Sequence, residues 1–360
     1  MLKIGIVGLA QVGKTTLFRT LTHAHGTGLG SGRPEAHVGV VHVPDPRLDR
    51  LAEMIHPQRK VYASVEYVDT PGSVIDLART GAQTAALREM DALAHVVRAF
   101  QDEAIPHPSG SIDPRRDIEN VELELVLSDL GSVEKRLERL DKDLKKQKNP
   151  ALEKERHVLE VCKQALEKQM PLRELSFAPE DERMIRGFTF LSSKPMLYML
   201  NLGEDDAGKT DAADQYAAEL ELKQRPKTTV TAICGKIESE LAELSDEEAG
   251  EFLASYGLKD SAIARVVRSS YHLLGMISFF TTDGGECRAW TIRAATTAVE
   301  AAGEVHTDLQ KGFIRAEVVP FEELSAAGSV AEARHRGTVK VEGKEYVLHD
   351  GEVVHFRHSG

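Results

Sequence analysis

The chain has 360 residues, 41% hydrophobic and 28% charged, which excludes a disordered or fibrous protein and leaves room for two or three folded units. Its formal net charge of −12 excludes a protein that coats nucleic acid by bulk charge, so no DNA partner is expected. Cys162, Cys234 and Cys287 are widely spaced and suit neither a disulfide framework nor a zinc site, and the N-terminal run "IGIVGLA" is too short for a leader or a span, which points to a cytoplasmic protein with no membrane partner.

Leu2 to Val7 reads as a short buried strand, and Thr15 to Leu21 as the helix that follows it. Between them "GLAQVGKT" is the phosphate-loop pattern, with Gly8 and Gly13 six-residue brackets of a tight turn and Lys14 and Thr15 closing it. Amides of Ala10, Gln11, Val12, Gly13, Lys14, Thr15 and Thr16 can then face phosphate oxygens at a helix N-terminus, while the Lys14 ammonium neutralises them. Thr15 is the expected Mg²⁺ ligand. "VGVVHVPD" reads as an extended stretch closed by Pro44, Asp45 and Pro46. The strand Val65 to Val68 leads into "DTPG", in which Asp69 would hold the metal's water shell and Gly72 would sense the terminal phosphate. Alone, that tetrapeptide reads equally as a strand-ending turn; its position after the phosphate loop favours the switch.

Ala92 to Val97, Met196 to Leu200 and Thr229 to Ile233 are further buried runs, so the fold class is α/β with a doubly wound parallel sheet. The segment 117–186 interrupts it with charged helical text. Val126, Leu130, Val133, Leu137, Leu140 and Leu144 are spaced as a heptad seam, and Leu152, Leu159, Cys162 and Leu166 continue it after Pro150, which predicts an antiparallel coiled-coil hairpin. From Asp283 onward "TVKVEGKEYVLHDGEVVHF" alternates around two turns, which predicts a small antiparallel sheet. The expected organisation is 1–116 and 187–282 as one nucleotide-binding domain, 117–186 as its inserted arm and 283–360 as a C-terminal module.

The base is expected at "NLGEDD", where guanine-binding proteins carry N-K-x-D. Leu202 and Glu204 replace the lysine and aspartate that read guanine, and the Asn201 side chain or nearby backbone carbonyls can accept from adenine's exocyclic amine, which stands where guanine has a carbonyl, so ATP is preferred to GTP. Cys234 and Gly235 after the next strand are expected to add contacts.

These motifs, with "GIVGLAQVGKTTLF", "PDPRLDRLAEMIHPQR", "DIENVELELVLSDLGSVEKRLERL", "RAWTIRAATTAVEAAGEVHTDLQKGFIRAEVV" and "LHDGEVVHFR", resemble the YchF family of Obg-like ATPases over nearly the whole chain. The resemblance implies a P-loop NTPase domain split by a helical arm, a C-terminal ubiquitin-like (β-grasp) TGS domain, ATP as ligand and association with the ribosome through ribosomal RNA or protein. It assigns ATP contacts to Gln11, Gly13, Lys14, Thr15, Thr16, Asn201 and Glu204, and links hydrolysis to His107; the charge of Lys14 is itself expected to support catalysis electrostatically. Mg²⁺ is the implied metal and K⁺ a further candidate ion. His306, Lys311 and Arg315 are candidates for a basic surface on the last module.

The chain departs from the family pattern at its switches. Arg33 stands where a threonine hydroxyl would complete the magnesium shell, and a guanidinium cannot coordinate a cation. Ser73 follows Gly72 where the family carries a longer glycine-rich switch. Slow ATP hydrolysis by a translation-associated regulator is therefore the leading expectation. A nucleotide-sensing module with negligible hydrolysis is the second, and a GTPase the third.

Overall fold

A computed structural model of the chain describes residues 2–22, 37–70, 72–74, 81–258 and 260–359. In chain order the described strands are β1 (Leu2–Val7), β2 (His37–His42), β3 (Arg59–Val61), β4 (Ser64–Asp69), β5 (Ala92–Ala99), β6 (Met196–Leu202) and β7 (Thr228–Ile233). They continue with β8 (Met276–Thr281), β9 (Glu286–Arg293), β10 (Phe313–Pro320), β11 (Lys340–Glu342) and β12 (Glu352–His358). Two compact units result, Met1–Val40 with Glu66–Ser269 and Val41–Val65 with Ser270–Gly360.

The first unit is built on a sheet of order β2-β4-β1-β5-β6-β7, in which β1–β5, β5–β6 and β6–β7 are parallel. All of β6 and nearly all of β5 are buried, as strands covered on both faces must be, which explains their unbroken apolar text. The helix α1 (Lys14–Thr22) follows β1 directly. In such sheets ligands collect beyond the C-terminal strand ends, and here those ends are Val7, Asp69, Ala99, Leu202 and Ile233.

The β5-to-β6 crossover carries the helical insertion. Once α2 (Pro46–Ile55) and α3 (Gly81–Arg88) are passed, α4 (Pro114–Lys146) and α5 (Pro150–Glu167) are joined by residues 147–149 alone, so they run back alongside each other. Proline opens each helix, with the Asp113 carboxylate capping the first and the Asn149 amide oxygen the second. Val126, Val133, Leu137 and Leu140 are buried against Leu159, Cys162 and Leu166, whereas Leu130 and Leu152 are only partly covered. Leu144, near the free end of the pair, is half-buried. The root of the pair is held by polar contacts: Asp129 of α4 accepts from the Leu191 and Ser192 amides at 3.0 and 2.7 Å, and the buried Arg173 guanidinium pairs with Glu122.

The second unit contains a sheet of order β11-β10-β12-β8-β9-β3. The expected antiparallel pairing is present, β10 pairing antiparallel with both β11 and β12, but the sheet as a whole is larger and mixed, because β12 pairs β8 in parallel and β3 pairs β9 in parallel. β8 precedes the alternating text, and β3 lies some two hundred residues upstream, so neither belongs to the local hairpin pattern that the sequence displays. The helix α2 travels with this unit: Asp45 caps it, and Arg47 bonds both Asp45 and Asp350 while its guanidinium covers Phe280.

Candidate nucleotide site

The loop between β1 and α1 has the geometry of a phosphate cradle. Gly8 and Gly13 take φ of +150° and +97°, and a Cβ at either would fall 2.6 Å from the Val96 carbonyl oxygen or 2.5 Å from the Asn201 amide nitrogen. Gln11, between them, is also left-handed, with φ of 60°. Ala10, Gln11, Thr15 and Thr16 are exposed, whereas Val12 is buried and anchors the turn. Lys14 folds back over the loop, donating to the carbonyls of Gly8 and Leu9 at 3.1 and 2.5 Å. Burial lowers its pKa, opposed by the charge of Asp69.

Thr15 lies at the helix N-terminus and donates its hydroxyl to Asp69 at 3.1 Å. Asp69 is buried at the end of β4, and that burial raises its pKa against the lowering pull of Thr15 and Lys14. This hydroxyl–carboxylate pair beside a lysine fits a hydrated Mg²⁺ held chiefly by phosphate oxygens. No three His, Cys, Asp or Glu come together as a metal cluster among the described residues. Gly72 and Ser73 follow beyond Asp69; Arg33 lies outside the described residues.

A cavity of about 660 Å³ opens beside the cradle, lined at one end by Gln11, Gly13 and Thr16. Its other walls are Phe100, Gln101, Asp102 and Ile105 after β5, Asn201 to Glu204 at the end of β6, and Gly235, Lys236 and Ser239 after β7. Asn201 is buried and bonded to backbone on two sides: its amide donates to the Val12 carbonyl at 3.0 Å and its oxygen accepts from the Gly235 amide at 2.9 Å. It thus ties the phosphate loop to the β7 wall while still lining the cavity. Leu202 is buried, while Glu204 is exposed and paired with Lys236 at 2.6 Å. Cys234 is buried at the head of the helix Gly235–Leu241, and burial raises its thiol pKa; it does not line the cavity.

His107 is not brought into the cavity wall. Its Nδ1 accepts from the Ser109 amide at 3.1 Å, so Nε2 carries the proton and faces the Asp117 carboxylate at 2.8 Å. Both side chains are almost completely buried, and Arg116 holds the other oxygen of Asp117. Beneath the cradle lies His95, which the sequence did not mark: it is fully buried, packs against Gly8 and Tyr198, and has no hydrogen-bond partner at either nitrogen among the described residues. Burial and the charges of Lys14 and Arg173 push its pKa down to about 3.

The sequence also missed the wall formed by residues 100–105. The available signal was positional, since Phe100 is the first residue beyond a central parallel strand. No motif marks it, because a base wall needs shape rather than a fixed residue order.

A family model for the C-terminal part of YchF GTPases, described as a protein of unknown function, matches residues 276–359, and one described as a 50S ribosome-binding GTPase matches residues 3–164. The chain is 40% identical to the ribosome-binding ATPase YchF of Bacillus subtilis over 99% of both proteins, and 39% identical to that of Escherichia coli O157:H7 over 98% of both. The solved structure of the Schizosaccharomyces pombe YchF GTPase superposes with a TM-score of 0.83 at 30% identity, covering 99% of this chain and 97% of that one.

Proposed function

The chain belongs to the YchF family, and from that premise we propose that it binds ATP in the cavity, hydrolyses it slowly to ADP and phosphate, and acts as a nucleotide-dependent regulator on the ribosome in the cytoplasm. One observation carries the reading: the glycine-built loop that lines one end of a cavity large enough for a nucleoside, through Gln11, Gly13 and Thr16, also carries the inward Lys14 and the Thr15 hydroxyl bonded to Asp69. The relatives' names speak of ribosome binding and ATP, and the partner is taken from them as part of the proposal.

In this reading the loop amides and Lys14 receive the phosphates, and Thr15, with Asp69 bonded to it, would hold a hydrated Mg²⁺. The metal, when bound, supplies charge neutralisation at the transferring phosphoryl group. Asn201 keeps the loop in register with the base wall. Leu202 and Glu204, in place of lysine and aspartate, favour adenine over guanine. Turnover is slow because the switch threonine is replaced by Arg33 and because His107, which the resemblance links to hydrolysis, is bonded to Asp117 rather than presented to the cavity. The α4–α5 pair serves as a coiled-coil arm, and the C-terminal part of the second unit as a TGS domain.

Single-turnover release of phosphate from bound ATP tests the enzymatic half. With Mg²⁺, and with or without K⁺ and ribosomes, release should exceed that of Lys14→Ala. Binding without any release above that control would leave a nucleotide-sensing module, the reading that Arg33 and Ser73 favour.

A further inference from the structure

Arg98 stands at the C-terminal end of β5, directly in register with Asn201 on β6. It is 1% exposed, an unusual place for a guanidinium with no carboxylate partner among its hydrogen bonds. Instead it gathers backbone: Nε donates to the Phe100 carbonyl at 3.1 Å, and Nη2 to the Asp102 and Ile105 carbonyls at 3.4 and 2.8 Å. The guanidinium carbon lies 4.3 Å from the Phe100 ring centroid, and Nη1 has no hydrogen-bond partner among the described residues. Those three residues are among the four, with Gln101, that line the cavity after β5, so a buried cation holds the wall from behind.

The planar fork is what permits this. Three carbonyls of one short loop converge on a single rigid donor set, and the aromatic face of Phe100 completes the shell. Asp102 tightens the same loop by accepting from the Ala104 amide at 2.9 Å. Loss of the guanidinium would free these carbonyls and alter the cavity width, while the glycine loop and Lys14, on β1 and α1, would keep their own contacts.

We propose that Arg98 is a positioning residue that sets nucleobase specificity, holding the 100–105 wall at the width that suits adenine, with its amine at C6, rather than guanine, with a carbonyl there and a further amine at C2, without itself touching the phosphates. The inference rests on the proposed ATP binding at this site. Asn201 and Arg98, neighbours on adjacent strands, then divide the work: the first braces the phosphate loop and the β7 wall, the second braces the opposite wall.

Titrations of ATP, GTP and inorganic tripolyphosphate into wild-type protein and into Arg98→Lys and Arg98→Met test this. ATP affinity should fall about tenfold in the methionine variant and less in the lysine variant, the ATP-to-GTP ratio should shrink, and tripolyphosphate affinity should hold within about twofold. Parallel losses for ATP and tripolyphosphate, or an unchanged ATP-to-GTP ratio, would overturn the proposal. Wild-type protein that binds no ATP would instead remove the parent reading. Should neither variant fold, amide exchange in the wild type decides: adenosine should slow exchange across 100–105 and tripolyphosphate should not, whereas the reverse pattern refutes it.

Discussion

The two ends of the cavity are built in opposite ways. The phosphate end is one continuous stretch, Gly8 to Thr16, whose shape is enforced by two glycines that no other residue could replace at their backbone angles. The base end is assembled from three separated segments after β5, β6 and β7, and depends on two buried side chains: Arg98 gathers the loop after β5, and Asn201 ties the phosphate loop to Gly235 after β7. The phosphate end is thus a local backbone structure, and the base end a tertiary one. Triphosphate recognition should therefore survive damage to the base wall, while the converse should fail.

The sharpest break of this contrast is Lys14→Ala, which should weaken ATP and tripolyphosphate alike by about a hundredfold, roughly 3 kcal/mol for a charge-assisted contact. Unequal losses, read by equilibrium titration, would mean that the two ends are not separable. Asn201→Ala comes next. It strips partners from the buried Val12 carbonyl and Gly235 amide, so ATP affinity should drop about thirtyfold, near 2 kcal/mol, with tripolyphosphate affinity also reduced because the loop loses its brace.

A pH test addresses the floor of the phosphate end. His95 has its pKa pushed down to about 3 in the folded protein, so below about pH 6.5 the unfolded chain binds a proton that the folded chain refuses. Stability is fully present above that pH and should decline by about 1.4 kcal/mol per unit as the pH falls. Urea unfolding of His95→Leu should lack this component, and an identical acid slope in both proteins would contradict the assignment. Asp69 behaves in the opposite sense: burial raises its pKa, so its ionised form disfavours the folded state as pH rises. Asp69→Asn should therefore melt higher than wild type at neutral pH without nucleotide, yet lose the Mg²⁺ dependence of ATP binding. The smallest effect belongs to Glu204→Gln, whose exposed pairing with Lys236 is worth under about 1 kcal/mol, so ATP affinity should move by less than about fivefold.

The same division explains what the sequence displayed. The cradle was readable because "GLAQVGKT" encodes a turn, a cation and a hydroxyl in fixed order, and the parallel strands were readable because burial on both faces leaves unbroken apolar text. Asn201 was found by position, and the structure adds that its amide also braces backbone on both sides. Phe100, Arg98 and His95 carried no pattern: each lies within or just past β5, where an arginine or histidine looks like an ordinary interruption of an apolar run until three dimensions show what faces it. The parallel joins of β3 and β8 were hidden for a related reason, being contacts between distant segments.

The most direct test of the account is a competition titration on wild-type protein with Mg²⁺, in which ATP, GTP and tripolyphosphate displace a fluorescent adenine nucleotide. The account predicts that all three compete, with ATP binding more tightly than either GTP or tripolyphosphate. GTP binding more tightly than ATP, or tripolyphosphate failing to compete, would contradict it.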